Sequence, residues 1–198
     1  MNDLKEIVIF FKDITNFSAL DVASDLKSRM PEILDPIIFP ESDKNPIFIF
    51  NQNQDIKIEV DKKCVRLGLR SKYFKSLSTV VFDIVDAFES VGCSFNRIGY
   101  VTSIFLSEKY IDIYKKHYLN VDNLNDVLEL NLSWYLKLQT SKVSLNCWEK
   151  IITNKLEFPD LLVQYDINTP VDKEITTDMK FIKEFFKVSE DFIESRML

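Results

Sequence analysis

Leu130-Asn131-Leu132-Ser133-Trp134-Tyr135-Leu136-Lys137-Leu138-Gln139 alternates apolar and polar side chains over ten residues without a break. Successive side chains of a strand point to opposite faces, so a period of two specifies a strand with one face in a core and one toward solvent. Antiparallel sheets are the ones that tolerate a wet face. The stretch therefore predicts an antiparallel sheet covered on one side.

The sequence on either side extends that sheet. Lys142 to Ile152 and Leu161 to Ile167 read as further strands. Thr177 to Ser195 carries Met179, Ile182, Phe185, Phe186, Phe192 and Ile193 near helical spacing. Upstream, Phe95 to Leu106 reads as a long strand. Ser107 suits a helix N-cap, with Glu108 in the first turn and Tyr110, Ile113, Tyr114 and Tyr118 on one side. Before Gly92 the same order occurs. Leu4 to Phe11 is a strand, and Ser18 with Asp21 opens a helix carrying Leu20, Ala23 and Leu26. Four of the six prolines fall within Pro31 to Pro46, which marks a connection with an extended piece at Ile37-Ile38-Phe39. Pro46 to Phe50, Ile56 to Val60 and Val65 to Leu69 are strands, separated by turns at Asn51 to Asp55 and Asp61-Lys62-Lys63. Ser78 to Ser90 is a helix with Val81, Ile84, Val85 and Phe88 inward, and Gly92 suits its C′ position. The expected fold is α+β: two β-α-β(3)-α units, residues 1–92 and 93–198, forming a curved, mainly antiparallel sheet with helices packed on one face. One continuous globular domain holds both units. The repetition is one of element order, and its only residue-level echo is Arg66-Leu67-Gly68-Leu69 against Arg97-Ile98-Gly99-Tyr100, at different places in the two units.

Composition bounds the chemistry. At 198 residues, 46% hydrophobic and 28% charged, the chain can bury a substantial core. A net charge of −6, split evenly at Gly92 into −3 and −3, repels a phosphate backbone on average and argues against nucleic-acid binding. Only three glycines are present (Gly68, Gly92 and Gly99), too few and too scattered for a phosphate-cradling loop. Three isolated cysteines (Cys64, Cys93 and Cys147) imply reduced thiols. The first residues lack a signal-peptide profile, and no apolar run nears the roughly 20 residues a bilayer span needs. A cytoplasmic protein without membrane contact is expected.

Catalytic and metal chemistry have little to stand on. His117 is the sole histidine and lies toward the end of a predicted helix, where a cation is favoured. With it alone and scattered cysteines, neither a nucleophilic triad nor a zinc site assembles locally. Asp83 with Asp86 and Asp122 with Asp126 read as solvated helix faces, and the run Asn120 to Asp126 lacks the central Gly and final Glu of a calcium loop. No catalytic residue, metal or cofactor is expected.

What stands out is the polar side of the strands. Alternation places Arg66, Arg70, Asn131, Ser133, Tyr135, Lys137, Asn146, Trp148, Gln164 and Asp166 off the core. Of these, Arg66, Arg70, Tyr135, Lys137, Trp148 and Asp166 form the candidate partner-binding set, because Tyr, Trp and Arg dominate interface energetics. The same alternation equally describes the solvated side of a half-covered sheet.

The order of features resembles a sporadically distributed bacterial family without an assigned activity. The resemblance rests on a hairpin (Ile47 to Val60), a strand (Cys64 to Arg70), an amphipathic helix, Arg97-Ile98-Gly99-Tyr100 opening a long strand, and Leu161-Leu162-Val163-Gln164-Tyr165-Asp166-Ile167 before a Phe-rich helix. It covers about two-thirds of the chain in order and departs after Tyr100, where Val101-Thr102 stands in place of a more polar continuation. The architecture resembles duplicated TATA-box-binding-type and helix-grip folds, which transfers no function. An acidic chain without catalytic motifs and with a candidate recognition face is expected to be a non-enzymatic binding or regulatory protein with a protein partner; the sporadic bacterial distribution that the resemblance implies would suit an immunity, antitoxin or phage-conflict role, and self-association is compatible with it. The alternative is a small-molecule-binding protein or enzyme with a cavity between the sheet and the C-terminal helix, motivated by Phe181, Phe185, Phe186 and Phe192.

Overall fold

A computed structural model describes residues 4–31, 33, 35–39, 47–52, 56–70, 76–106, 129–154, 158–171 and 178–197. The expected helix after Ser107, His117 and the Asn120 to Asp126 run lie outside them.

The described strands are β1 (Leu4–Asp13), β2 (Ile37–Ile38), β3 (Phe48–Gln52), β4 (Ile56–Val60), β5 (Cys64–Arg70), β6 (Ser94–Leu106), β7 (Glu129–Gln139), β8 (Ser144–Asn154) and β9 (Phe158–Asn168). The described helices are α1 (Ala19–Arg29), α2 (Leu77–Glu89) and α3 (Met179–Met197). All nine strands form one open sheet in the order β2-β3-β4-β5-β1-β6-β9-β8-β7, and every pairing is antiparallel. The centre is the β1–β6 pair, with Ile7 opposite Tyr100 and Ile9 opposite Ile98. Outward from it the order reads β1, β5, β4, β3 on one side and β6, β9, β8, β7 on the other.

Local chemistry fixes the element ends. Ser18 accepts a hydrogen bond from the Asp21 amide at 3.3 Å, and Ser76 accepts one from the Thr79 amide at 3.3 Å. Each satisfies a donor that the first helical turn leaves unpaired. α2 thus begins slightly before the expected Ser78. The Asp178 carboxylate does the same for α3, accepting from the Phe181 amide at 2.8 Å. At the end of α2, Cys93 N–H reaches the Phe88 carbonyl at 3.1 Å and Gly92 N–H reaches Glu89 at 3.0 Å. This reverse-bonded pair needs a left-handed residue, and Gly92 supplies it with φ +87°.

The helices lie on one face of the sheet. Val22, Ala23 and Leu26 of α1, Val81, Ile84, Val85 and Phe88 of α2, and Phe181, Ile182, Phe185 and Phe186 of α3 are all buried. They meet the inward strand rows, such as Val65/Leu67/Leu69, Ile7/Ile9 and Val163/Tyr165/Ile167. Phe88 is a hub, with its ring 5.3 Å from Phe11, 5.3 Å from Phe17, 6.1 Å from Phe95 and 6.3 Å from Phe48. Burying such rings dominates the stabilising side of the balance.

Candidate functional site

Antiparallel register turns the outer side of β6, β9, β8 and β7 into a grid. Lys137, Asn146, Asn168 and Gly99 are successive partners across the four strands. The next row is Tyr135, Trp148, Asp166 and Val101, and the one after it is Ser133, Lys150, Gln164 and Ser103. A further row places Ile152, Leu162 and Phe105 together. At about 4.8 Å between strands and about 6.8 Å between same-face residues, this grid spans roughly 14 by 20 Å.

Its β7–β8 side carries an open aromatic pair. Tyr135 and Trp148 are 46% and 48% exposed, with ring centroids 5.0 Å apart and tilted by 54°. Phe105, at the apolar end, is 40% exposed. Large apolar side chains paired on a surface, as Tyr135 and Trp148 are, mark a contact site more often than isolated ones do; Phe105 stands apart from them, three strands and two rows from Tyr135. Tyr135 donates to Asn146 Oδ1 at 2.7 Å, Lys137 donates to the same oxygen at 2.5 Å, and the Lys137 ammonium sits 5.1 Å from the Tyr135 ring. The aromatic pair is thus held from one side by an amide and a cation. Asn168 donates to the Asp166 carboxylate. Gly99 makes this possible, because a Cβ there would fall 2.5 Å from Asn168 Oδ1.

The charges of this grid face outward. Among the described residues Lys137 and Lys150 have no carboxylate partner. Neither has Arg97 at the border of the grid, whose guanidinium lies 5.0 Å from the Phe10 ring.

The candidate set is therefore divided. Tyr135, Trp148 and Asp166 are consecutive in one row, with Lys137 beside them. Arg66 stands five strand steps from Lys137 along the row Arg66, Val8, Gly99, Asn168, Asn146, Lys137, about 24 Å away at the usual strand spacing. It is engaged locally, 2.7 Å from Asp61 and 3.3 Å from Glu59. Arg70 is placed by register opposite Leu4, also on the far side of β1. Lys150 and Phe105 join the face from outside the candidate set, Lys150 two residues along β8 from Trp148, and Arg97, which opens the Arg97-Ile98-Gly99-Tyr100 motif, borders it.

Polar groups also occur on the helix side. Glu149 is 1% exposed, at an inward position between Cys147 and Ile151, and Arg196 of α3 reaches it at 2.9 Å. Lys5 lies 3.1 Å from Glu190 and 5.9 Å from the Tyr100 ring centre. Burial works against its ammonium, but Tyr100 and Glu190 outweigh that and hold it above the usual lysine value. The thiols are quiet. Burial pushes Cys147 up to about 12, helped by the Glu149 charge, and pushes Cys64 up to about 11, helped by Asp61. The nucleophile of a thiol is its thiolate, so neither is activated.

The phenylalanines of α3 are spent on packing. Phe181 and Phe185 are fully buried, Phe186 meets Tyr100 at 5.6 Å, and Phe192 meets Tyr165 at 6.0 Å. A cleft of about 390 Å³ runs between the start of α2 and α3, lined largely by charge: Lys5, Lys183, Lys187, Glu190, Asp191 and Glu194. No described helix is long and apolar enough to cross a membrane. No protein-family model matches the chain, and no curated protein matches it either.

Proposed function

We propose that the protein is a non-catalytic recognition protein that holds a protein partner on the outer face of β6, β9, β8 and β7. The observation that carries this reading is the Tyr135–Trp148 pair, nearly half exposed on a regular sheet face and bordered by cations that have no carboxylate partner among the described residues. Rigid strands hold the aromatics in place, so little side-chain freedom remains to be lost on binding. Aromatic anchors ringed by polar groups are the arrangement that concentrates binding energy. The protonated thiols of Cys64 and Cys147 support the non-catalytic part of the reading.

Affinity capture from the native host, with wild-type and Trp148→Ala baits compared quantitatively, tests it. The expected result is a partner retained by the wild type and lost by the variant while far-UV circular dichroism is unchanged. Equal recovery by both baits would sink the proposal, as would a partner whose capture responds only to Arg66→Ala.

A further inference from the structure

We infer, resting on the recognition face just proposed, that the segment it holds is acidic: an extended peptide with carboxylates four residues apart and an apolar side chain midway. The three rows from Lys137 to Lys150 contain twelve outward positions, and their only charged residues are Lys137, Lys150 and Asp166. A chain of net charge −6 thus turns a locally positive surface toward its partner. Neither lysine has a carboxylate partner among the described residues. Lys137 touches a neutral amide and a ring, those of Asn146 and Tyr135, which leave its charge uncompensated. Asp166 is already engaged by Asn168. Cations in this state steer an incoming anion and fix its register.

The spacing sets the pattern of the peptide. Tyr135 pairs with Trp148, Lys137 with Asn146, and Ser133 with Lys150, so the two lysines lie at opposite ends of the aromatic pair. They are two rows and one strand apart, about 14 Å at the usual spacings. An extended chain rises about 3.3 Å per residue and turns every second side chain the same way. Its positions i, i+2 and i+4 therefore cover about 13 Å on one side. Carboxylates at i and i+4 reach the lysines, and an apolar side chain at i+2 meets the Tyr135 and Trp148 rings. Asp166 neighbours Trp148 on the β9 side, and its repulsion keeps the carboxylates over β7 and β8. A single-stranded nucleic acid also offers rings to stack and charge to bind. Its phosphates recur at every nucleotide, however, and would meet Asp166 and the net negative charge with only two lysines in return.

The probe is a capped serine peptide with two glutamates four residues apart and a leucine midway; its control carries glutamines in place of the glutamates. Each is titrated into the isotope-labelled full chain up to about 5 mM, enough to read a millimolar Kd, while the Trp148 indole N–H and the β7 and β8 amides are followed by NMR. At an ionic strength of about 0.01 M, where screening is weak, the glutamate peptide is expected to bind about fivefold tighter, as two exposed ion pairs would give. The preference should vanish at about 1 M salt and in the double variant Lys137→Gln with Lys150→Gln, and persist when both lysines become arginine. Equal binding of the two peptides, binding of neither, or tighter binding of a thymidine oligonucleotide overturns the inference. Zero-length carbodiimide coupling of the partner captured from the native host separates it from the broader reading. The expected product joins an Asp or Glu of the partner to Lys137 or Lys150. A partner lost with Trp148→Ala but coupled to neither lysine leaves the recognition face standing and overturns its acidic ligand. Absence of any Trp148-dependent partner overturns both.

Discussion

The two halves of the outer face use the same backbone differently. On β4 and β5 the charges satisfy one another: Lys57 meets Glu59 at 2.7 Å, and Arg66 bridges Glu59 and Asp61. Asp61 is itself tied to the turn, accepting from the amides of Lys63 at 2.6 Å and Cys64 at 2.9 Å. On β6 to β9 the outward cations Arg97, Lys137 and Lys150 have no carboxylate partner among the described residues, and the Tyr135 and Trp148 rings are turned to solvent. Charges already paired cost more to strip of water than they return to an incoming partner, whereas unpaired ones steer and then anchor it. Sheet topology is shared between the halves; the proposed binding face belongs to the second alone.

The largest expected effect separates binding from stability. Trp148→Ala should weaken partner binding by about 2 kcal/mol or more, the range of a central aromatic anchor, while shifting the urea midpoint little, because the ring is half exposed. Arg66→Ala should do the reverse, leaving binding unchanged. Titration calorimetry alongside urea unfolding reads both. If Arg66→Ala cost as much affinity as Trp148→Ala, the contrast between the halves would collapse. The next effect belongs to Gly99. An alanine Cβ there meets Asn168 Oδ1 at 2.5 Å, and Asn168 is 9% exposed with little room to retreat. Gly99→Ala should destabilise by about 1–3 kcal/mol, the cost of overpacking a filled site, and should disturb the Asn168–Asp166 contact in the NMR spectrum of the side-chain amides.

Much of this was legible in the sequence, because strand alternation is a local rule. It placed Tyr135, Lys137, Trp148 and Asp166 on the outer side, and the caps followed from the Ser18 hydroxyl and from the missing Cβ of Gly92. Strand adjacency is not local. Nothing in the order of residues says that β9 lies between β6 and β8, so the distance from Arg66 to Lys137 was not readable. The Arg-x-Gly echo shows the same limit. Arg66-Leu67-Gly68 and Arg97-Ile98-Gly99 lie on the two strands that flank β1, with Arg66 and Gly99 both opposite Val8. They are neighbours across one strand and hold different places in the outward order on either side of the β1–β6 pair. Glu149 was passed over for a different reason. Its inward position is plain from Cys147 and Ile151, but only the fold brings Arg196 to a carboxylate that could not otherwise be buried.

Acid should loosen the Asp61 turn of the first half. Removing Arg66 or Asp61 breaks a partly exposed network, worth up to about 1 kcal/mol. Burial would raise the Asp61 carboxyl, but the Lys63 and Cys64 amides and Arg66 prevail and hold it below its ordinary value. A carboxyl depressed on folding stabilises the protein above its unfolded pKa, near 4 for Asp, and that stability is lost as pH falls through the lower, folded value. Asp61→Asn should therefore lower the urea midpoint at pH 7 and converge with the wild type at the acid end. A difference that persists unchanged to pH 2 would assign the loss to the turn geometry instead.

The smallest effect uses the remaining strand glycine. Gly68 lies on the outer side of β5, opposite Glu6 and Lys57. A Cβ there finds nothing nearer than the Lys57 Cβ at 4.0 Å. Its neighbourhood is open where that of Gly99 is filled, so the same substitution should have opposite signs at the two sites. Gly68→Ala narrows the unfolded ensemble without a clash and should stabilise by about 0.4–1 kcal/mol. A urea midpoint that falls with Gly68→Ala would show that the outer side of the first half is also shaped for close approach, and the contrast between the halves would then rest on charge and aromatics alone.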